Sequence, residues 1–254
     1  MSHAKRRFGQ NFLVDPRVIA DIVRVIDPQP GQAMVEIGPG RAELTAPLLD
    51  RLGQLTAIEI DRDLHSALRA RFGQRLHLIA EDVLAVDFLA LGPPGLRVVG
   101  NLPYNISSPI LFHLLGVAHH VADQTFMLQK EVVERMVAQE GSKAYGRLSI
   151  MLQARYTMAH QLDVPPQAFD PAPAVESAIV SMRPRPPEEV ATVPWPMLEK
   201  LVADAFSMRR KMLRNNLHAY RDRIDFRDFG LAETDRPEQV PVSAYLAMAR
   251  ALVA

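Results

Sequence analysis

The chain has 254 residues, 48% of them hydrophobic, with 29 basic and 29 acidic side chains and no cysteine. That length buries one large core and one smaller one without covalent staples, and the missing thiols exclude disulfides and thiolate metal sites. No apolar run approaches the roughly 18 residues of a membrane span, and "MSHAKRRFGQNFL" lacks a signal-peptide core, so a cytoplasmic protein without a metal is expected.

Along the chain, apolar runs of strand length alternate with helical patterns. "AMVEIG" (33–38) precedes "RAELTAPLLDRL", "QLTAIEI" (54–60) precedes "RDLHSALRARF", and "RLHLIAED" (75–82) follows. "LRVVGN" leads through a loop into helical "ILFHLLGVA", and "QTFMLQ" (124–129) leads into "KEVVERMVAQE". This alternation predicts an α/β fold, a Rossmann-like parallel sheet with helices on both faces. "RYTMAHQLDV" (155–164) and "ESAIVSMRP" (176–184) have only the proline-rich "PPQAFDPAPAV" between them, which predicts an antiparallel pair at the sheet edge. "RPRPPEE" reads as a linker, so residues 1–185 form the catalytic domain and residues 186–254 a small helical one.

The glycines of "VEIGPGRAELT", Gly38 and Gly40, sit where a strand turns into a helix and a ligand can approach the backbone. A dinucleotide fingerprint requires a third glycine at position 43. Glu43 stands there and would repel pyrophosphate at a helix N-terminus. Glu59 lies 21 residues after Gly38, at the strand end where an acid takes ribose hydroxyls, and Asp82 ends the next strand, placed to accept from an adenine amino group. A nucleoside site without a phosphate cradle fits S-adenosylmethionine.

The loop "NLPYNISSP" (101–109) carries the chemistry. The Asn101 side-chain oxygen and the Leu102 carbonyl would accept the two hydrogens of an adenine amino group, favouring a pyramidal nitrogen with its lone pair free for attack on a sulfonium methyl. Pro103 fixes the loop. Tyr104 offers a stacking face worth about 1–3 kcal/mol per base. Small Ser107 and Ser108 leave room for a methyl group already transferred.

With these motifs in place, the sequence closely resembles the small-subunit ribosomal RNA adenine dimethyltransferases. The likeness runs in order through "RRFGQNFLVD", "VEIGPG", "EIDRDL", "NLPYNISSP", "FMLQKEVVERM", "KAYGRLSIM", "AFDPAPAVESAIV" and "RRKMLRNNL". The resemblance implies methylation of two neighbouring adenosines in a hairpin loop near the 3′ end of that RNA. It implies cofactor contacts from Asn11, Leu13, Gly38, Glu59, Asp82 and Asn101. It also implies that Phe169 faces the target base opposite Tyr104, although by its surroundings in sequence Phe169 reads equally as a core residue.

Two other functions share some motifs. A resistance-type methyltransferase of large-subunit rRNA has a similar amide loop but not the "RRFGQNFL", "KAYGRLSIM" and "RRKMLRNNL" blocks, and DNA adenine methyltransferases commonly carry a second proline where Leu102 stands. A non-catalytic RNA-binding assembly or transcription factor would not need the intact loop.

From Lys200 to Arg223 there are seven basic residues against two acidic ones. Read as one helix, Ser207–Arg223 buries Leu213 and Leu217 and projects Arg210, Lys211 and Arg214 outward. With Arg209 these are the candidate RNA contacts, and Lys5, Arg6 and Arg7 are the reserve. The partner expected is small-subunit rRNA within an immature subunit, bound by a monomer.

Overall fold

The computed structural model describes residues 10–208 and 211–253. In chain order the strands and helices begin with β1 (Phe12–Leu13), α1 (Pro16–Ile26), β2 (Met34–Ile37), α2 (Thr45–Leu52), β3 (Leu55–Ile58) and α3 (Arg62–Phe72). Next come β4 (Leu76–Ile79), β5 (Leu96–Asn101), α4 (Ser107–Leu115), β6 (Val121–Gln129), α5 (Lys130–Met136) and α6 (Arg147–Arg155). The chain closes with β7 (Tyr156–Val164), β8 (Phe169–Asp170), β9 (Ser177–Pro184), α7 (Pro187–Val190), α8 (Trp195–Ala205), α9 (Leu213–Asn216) and α10 (Val242–Ala251).

Two compact units result. The first takes the chain through Val133 together with Ala159–Pro184, and the second takes Glu134–Met158 and the chain from Arg185 onward. The chain crosses between them after Pro184, one residue before the expected division at 185/186, and Glu134–Met158 falls in the second unit. The physical reason is α6, whose Ile150, Met151, Leu152 and Ala154 are buried and which packs on α8 and α10. It runs directly into β7 without a turn residue, so composition gives no break there.

In the first unit the seven strands lie in the order β4-β3-β2-β5-β6-β9-β7. The five from β4 to β6 are parallel, and β9 runs antiparallel to β6, with β7 outside it. The parallel sheet and its edge pair follow the apolar runs closely. A second ladder is additional: β1 pairs antiparallel with β8, Phe12 opposite Asp170 and Leu13 opposite Phe169.

The strands pack tightly because Val35, Ala57, Val98 and Val99 are fully buried. Helix α1 starts on Asp15, whose side chain accepts from the Arg17 and Val18 amides, and has Pro16 in its first turn. At the other end Arg97 donates to the carbonyls of Ile26 (2.5 Å) and Asp27 (3.2 Å), to Gln32 Oε1 (2.7 Å) and to Asp123 Oδ1 (2.9 Å). A buried guanidinium thus satisfies the last carbonyls of a helix and ties it to β5 and β6.

In the second unit α6, α8 and α10 enclose Leu198, Leu201, Val202 and Met248. Tyr145 and Tyr245 are buried and donate their hydroxyls to the Val240 and Pro237 carbonyls at 2.9 and 3.0 Å. The single helix expected over Ser207–Arg223 is not formed. Helix α8 stops at Ala205 and α9 spans only Leu213–Asn216. The buried Asn216 amide donates to the Ala205 carbonyl at 2.6 Å and to that of Met208 at 3.1 Å, closing off α8 where a longer helix would have continued. Leu213 and Leu217 are fully buried, as the sequence pattern requires. Among the described residues no helix is long and apolar enough to cross a membrane.

Gly100 sets the spacing of β2 and β5. A Cβ there would press into the Ile37 carbonyl oxygen and lie 3.3 Å from Ile37 Cβ. Gly100→Ala should therefore cost about 3 kcal/mol, because rigid backbone has to move, and a lowered guanidinium unfolding midpoint at constant slope would report it.

Candidate active site

The C-terminal ends of β2, β3 and β5 lie side by side, Ile37 being opposite both Ile58 and Gly100. One residue beyond each strand register stand Gly38, Glu59 and Asn101. Gly38 and Gly40 adopt φ of 70° and 57°, which a side chain would strain, and the Gly38 amide donates to the Ile58 carbonyl at 2.9 Å. The Phe12 ring closes on this turn, since a Cβ on Gly40 would lie 3.2 Å from two of its carbons.

Glu59 is buried, and its carboxylate accepts from the Gly40 amide (3.3 Å) and the Asp61 amide (2.8 Å). It joins the glycine turn to the start of α3, whose N-cap Asp61 also accepts from Gln10 Nε2 at 2.9 Å. Burial raises the Glu59 pKa in spite of these two amide bonds. Asp82 is exposed and caps a short 3₁₀ turn, accepting from the Leu84 amide at 2.9 Å through Oδ1.

Asn101 ends β5 with its side chain committed: Nδ2 donates to the Asn11 carbonyl at 3.1 Å. That bond fixes the amide's orientation and leaves Oδ1 as its acceptor end. The Leu102 amide donates to the Met127 carbonyl at 3.1 Å, so the loop is held by β6 as well. Tyr104 lies 2.5 Å, hydroxyl to hydroxyl, from Ser177 at the start of β9, and burial raises its pKa. Ser107 Oγ donates back to the Tyr104 carbonyl at 3.2 Å.

These groups line one cavity of about 230 Å³. Every cofactor candidate reaches it: Asn11, Leu13, Gly38, Gly40, Glu59, Asp82 and Asn101. So do Leu102, Pro103 and Tyr104 of the amide loop. Phe169 does not. It is 4% exposed and, like Leu13 opposite it in the β1–β8 ladder, belongs to the hydrophobic core cluster.

Five carboxylic acids line the cavity, Glu36, Glu43, Glu59, Glu81 and Asp82, and among the described residues no lysine or arginine does. This donor set suits a cationic ligand and opposes a phosphate, which fits S-adenosylmethionine, an adenosine bearing a sulfonium and an ammonium. Glu59 and Asp82 would hold its nucleoside, and Glu36 and Glu43 would face its charge. Glu36 carries no cue in the sequence beyond its place in "VEIGPG", where strand alternation hides its burial. Thr45 Oγ1 donates to it at 2.7 Å, yet burial, with smaller repulsions from Glu43 and Glu59, pushes its pKa up to about 8. Burial likewise raises Glu43, against the attraction of Arg41 and Arg71.

The basic candidates lie in the second unit. Lys211 and Arg214 are exposed, while Arg209 and Arg210 lie outside the described residues, as do Lys5, Arg6 and Arg7. Arg214 pairs with Glu233 at 3.6 Å and Lys200 with Asp204 at 2.8 Å, and Arg223 donates to the Leu252 carbonyl. The basic excess counted along the sequence is thus partly offset by an acid, Glu233, outside that stretch. Among the described residues no group of side chains forms a metal site.

Because the folded pKa of Glu36 exceeds its unfolded value of 4.5, the native state keeps a proton that the unfolded chain has lost between about pH 4.5 and 8. Stability from this group therefore falls as pH rises through that window. Glu36→Gln removes the dependence, and cofactor-free mutant should gain on wild type by on the order of 2–4 kcal/mol between pH 5 and 8.5. Denaturant unfolding at several pH values measures it, and parallel curves would contradict the assignment.

The family model described as ribosomal RNA adenine dimethylase matches residues 1–253. Ribosomal RNA small subunit methyltransferase A of Cupriavidus metallidurans is 57% identical, covering 97% of this chain and 92% of the relative. The protein of the same description from Paraburkholderia xenovorans is 56% identical, covering 99% and 94%. Among solved structures, a dimethyladenosine transferase from Plasmodium falciparum shares the fold (TM-score 0.79, 22% identity, 95% of this chain and 96% of that one). The 23S rRNA methyltransferase ErmE has a TM-score of 0.74 at 27% identity, covering 96% of this chain and 100% of that one. The chain belongs to the ribosomal RNA adenine dimethylase family.

Proposed function

We propose that this protein methylates N6 of two adjacent adenosines in a hairpin loop near the 3′ end of small-subunit rRNA, acting as a cytoplasmic monomer on an immature subunit. S-adenosylmethionine supplies an electrophilic methyl group when bound. The observation that carries the reading is the Asn101 amide, held by the Asn11 carbonyl in a cavity that five carboxylic acids also line.

The protein's residues act by orientation. Asn101 Oδ1 and the Leu102 carbonyl accept the two N6 hydrogens and turn the nitrogen lone pair toward the methyl donor. Tyr104, anchored through Ser177, offers its ring to a base drawn out of the RNA stack. After one transfer a single N6 hydrogen remains, one acceptor still orients it, and the lone pair remains available for the second methyl. The small-subunit reading is favoured over the large-subunit one by relatives at 56–57% identity, against 27% for ErmE.

Transfer of labelled methyl groups to unmethylated small subunits, compared with naked small- and large-subunit rRNA, tests the reading. Digested product should contain dimethyladenosine; monomethyladenosine alone after prolonged reaction would refute the two-methyl mechanism. Asn101→Ala should lower kcat by about 10²–10³-fold, because the acceptor acts on the transition state, while RNA affinity changes little. Wild-type turnover in that mutant would remove the loop from the active site.

Arg209, Arg210, Lys211 and Arg214 contact RNA phosphates in this proposal, positioning the hairpin without reading its sequence. Lys211→Ala with Arg214→Ala should weaken hairpin binding, spare cofactor affinity, and flatten the log–log salt dependence by roughly 0.7–0.9 per lost contact. RNA titrations across salt concentrations measure the slope. An unchanged slope would move the RNA surface to Lys5, Arg6 and Arg7.

A further inference from the structure

The segment Gln10–Leu13 lines the cavity and meets the start of α3, the amide loop, the glycine turn and β8. Gln10 reaches Asp61, the Asn11 carbonyl holds the Asn101 amide, Phe12 lies on the glycine turn, and Leu13 pairs with Phe169. The segment forms a separate two-residue ladder with β8, extended by the Val14 and Asp15 amides to the Ala168 carbonyl at 2.7 and 3.3 Å. So short a ladder is weak alone. Arg41 reinforces it from the cofactor turn: its guanidinium carbon lies 4.1 Å from the centre of the Phe12 ring, and Nη1 is 3.4 Å from Asp170 Oδ2, on the strand paired with this segment.

We propose that Arg41 is a positioning residue that clamps Gln10–Leu13 over the bound cofactor and thereby keeps the Asn101 amide in its working orientation. The Phe12 ring packs against both Gly40 and the Arg41 guanidinium, so the same turn that approaches the cofactor also grips the strap beside it. The stacking contact should dominate. Phe12 is 4% exposed, whereas the Asp170 side chain is 66% exposed, where water and salt weaken an ion pair.

The sign of the effect separates this role from simple electrostatics. Arg41 is a cation near Glu43, beside a cavity that takes a cation. If only its charge mattered, removing it would tighten cofactor binding. If it clamps the strap, removing it loosens binding and slows chemistry together.

The inference rests on the proposed methyltransferase reading, and its first measurement needs only the cofactor. Labelled S-adenosylmethionine is bound to the full-length protein and chased with unlabelled cofactor. Arg41→Ala should release label roughly tenfold faster and lower kcat severalfold at saturating cofactor. Asp170→Asn should change the release rate by about two- to threefold, and Arg41→Lys should restore part of the loss. Thermal melting of each variant shows whether it is folded at the assay temperature, and a residue that only supports the fold would shift melting without shifting the release rate. Release from folded Arg41→Ala at the wild-type rate or slower overturns the clamp. Faster release with no methylation of rRNA even by wild type would leave the clamp standing and overturn the proposed substrate.

Discussion

The register of β2 between β3 and β5 is the constraint on which the site depends. The three strands are parallel, so their carboxyl ends meet at one edge, and the pairing of Ile37 with Ile58 and Gly100 places the glycine turn, Glu59 and Asn101 within reach of one ligand. A slip of one residue would turn alternate side chains to the opposite face. Gly100 allows the close approach by lacking a side chain. At the far end of β5, Arg97 holds the strand to α1 and β6 through four acceptors, with its own side chain only 11% exposed. The reactive edge can therefore carry irregular loops because the opposite edge is fixed.

That edge concentrates negative charge at a cost to the cofactor-free protein. Burial opposes ionisation of Glu36, Glu43 and Glu59, and Glu36 is pushed further by the other two. A ligand with compensating positive charge relieves the opposition, while a phosphate would add to it. The chemistry that selects the cofactor is thus also a local source of instability, a compromise common at functional sites.

Much of this was legible in the sequence because it is local. Gly38, Gly40, Glu59 and the Asn101–Tyr104 loop lie at ends of apolar runs, and their residue types state their backbone or hydrogen-bonding needs directly. What was not legible depends on distant partners. The β1–β8 ladder is two residues long and has no periodicity to detect, and Ser177 meets Tyr104 only through the β6–β9 pairing. Phe169 meets Leu13 only through that ladder, which is why its sequence surroundings left two readings open. Residues 207–223 have helical spacing, yet the Asn216 side chain competes successfully for the carbonyls at the end of α8.

In the proposed reaction the amide loop handles a weak nucleophile without an obvious base. Among the described residues the cavity lining contains no histidine and no lysine, and burial raises the pKa values of Glu36 and Glu59. What the loop offers is order established in advance. Leu102 is fixed by the Met127 carbonyl, Asn101 by the Asn11 carbonyl, Tyr104 by Ser177, and Pro103 restricts the backbone between them. Acceptors that do not reorganise as N6 changes geometry stabilise the transition state more than the ground state. In the proposed reaction the proton can then leave after the carbon–nitrogen bond has formed, when the nitrogen is cationic and its acidity no longer demands a strong base.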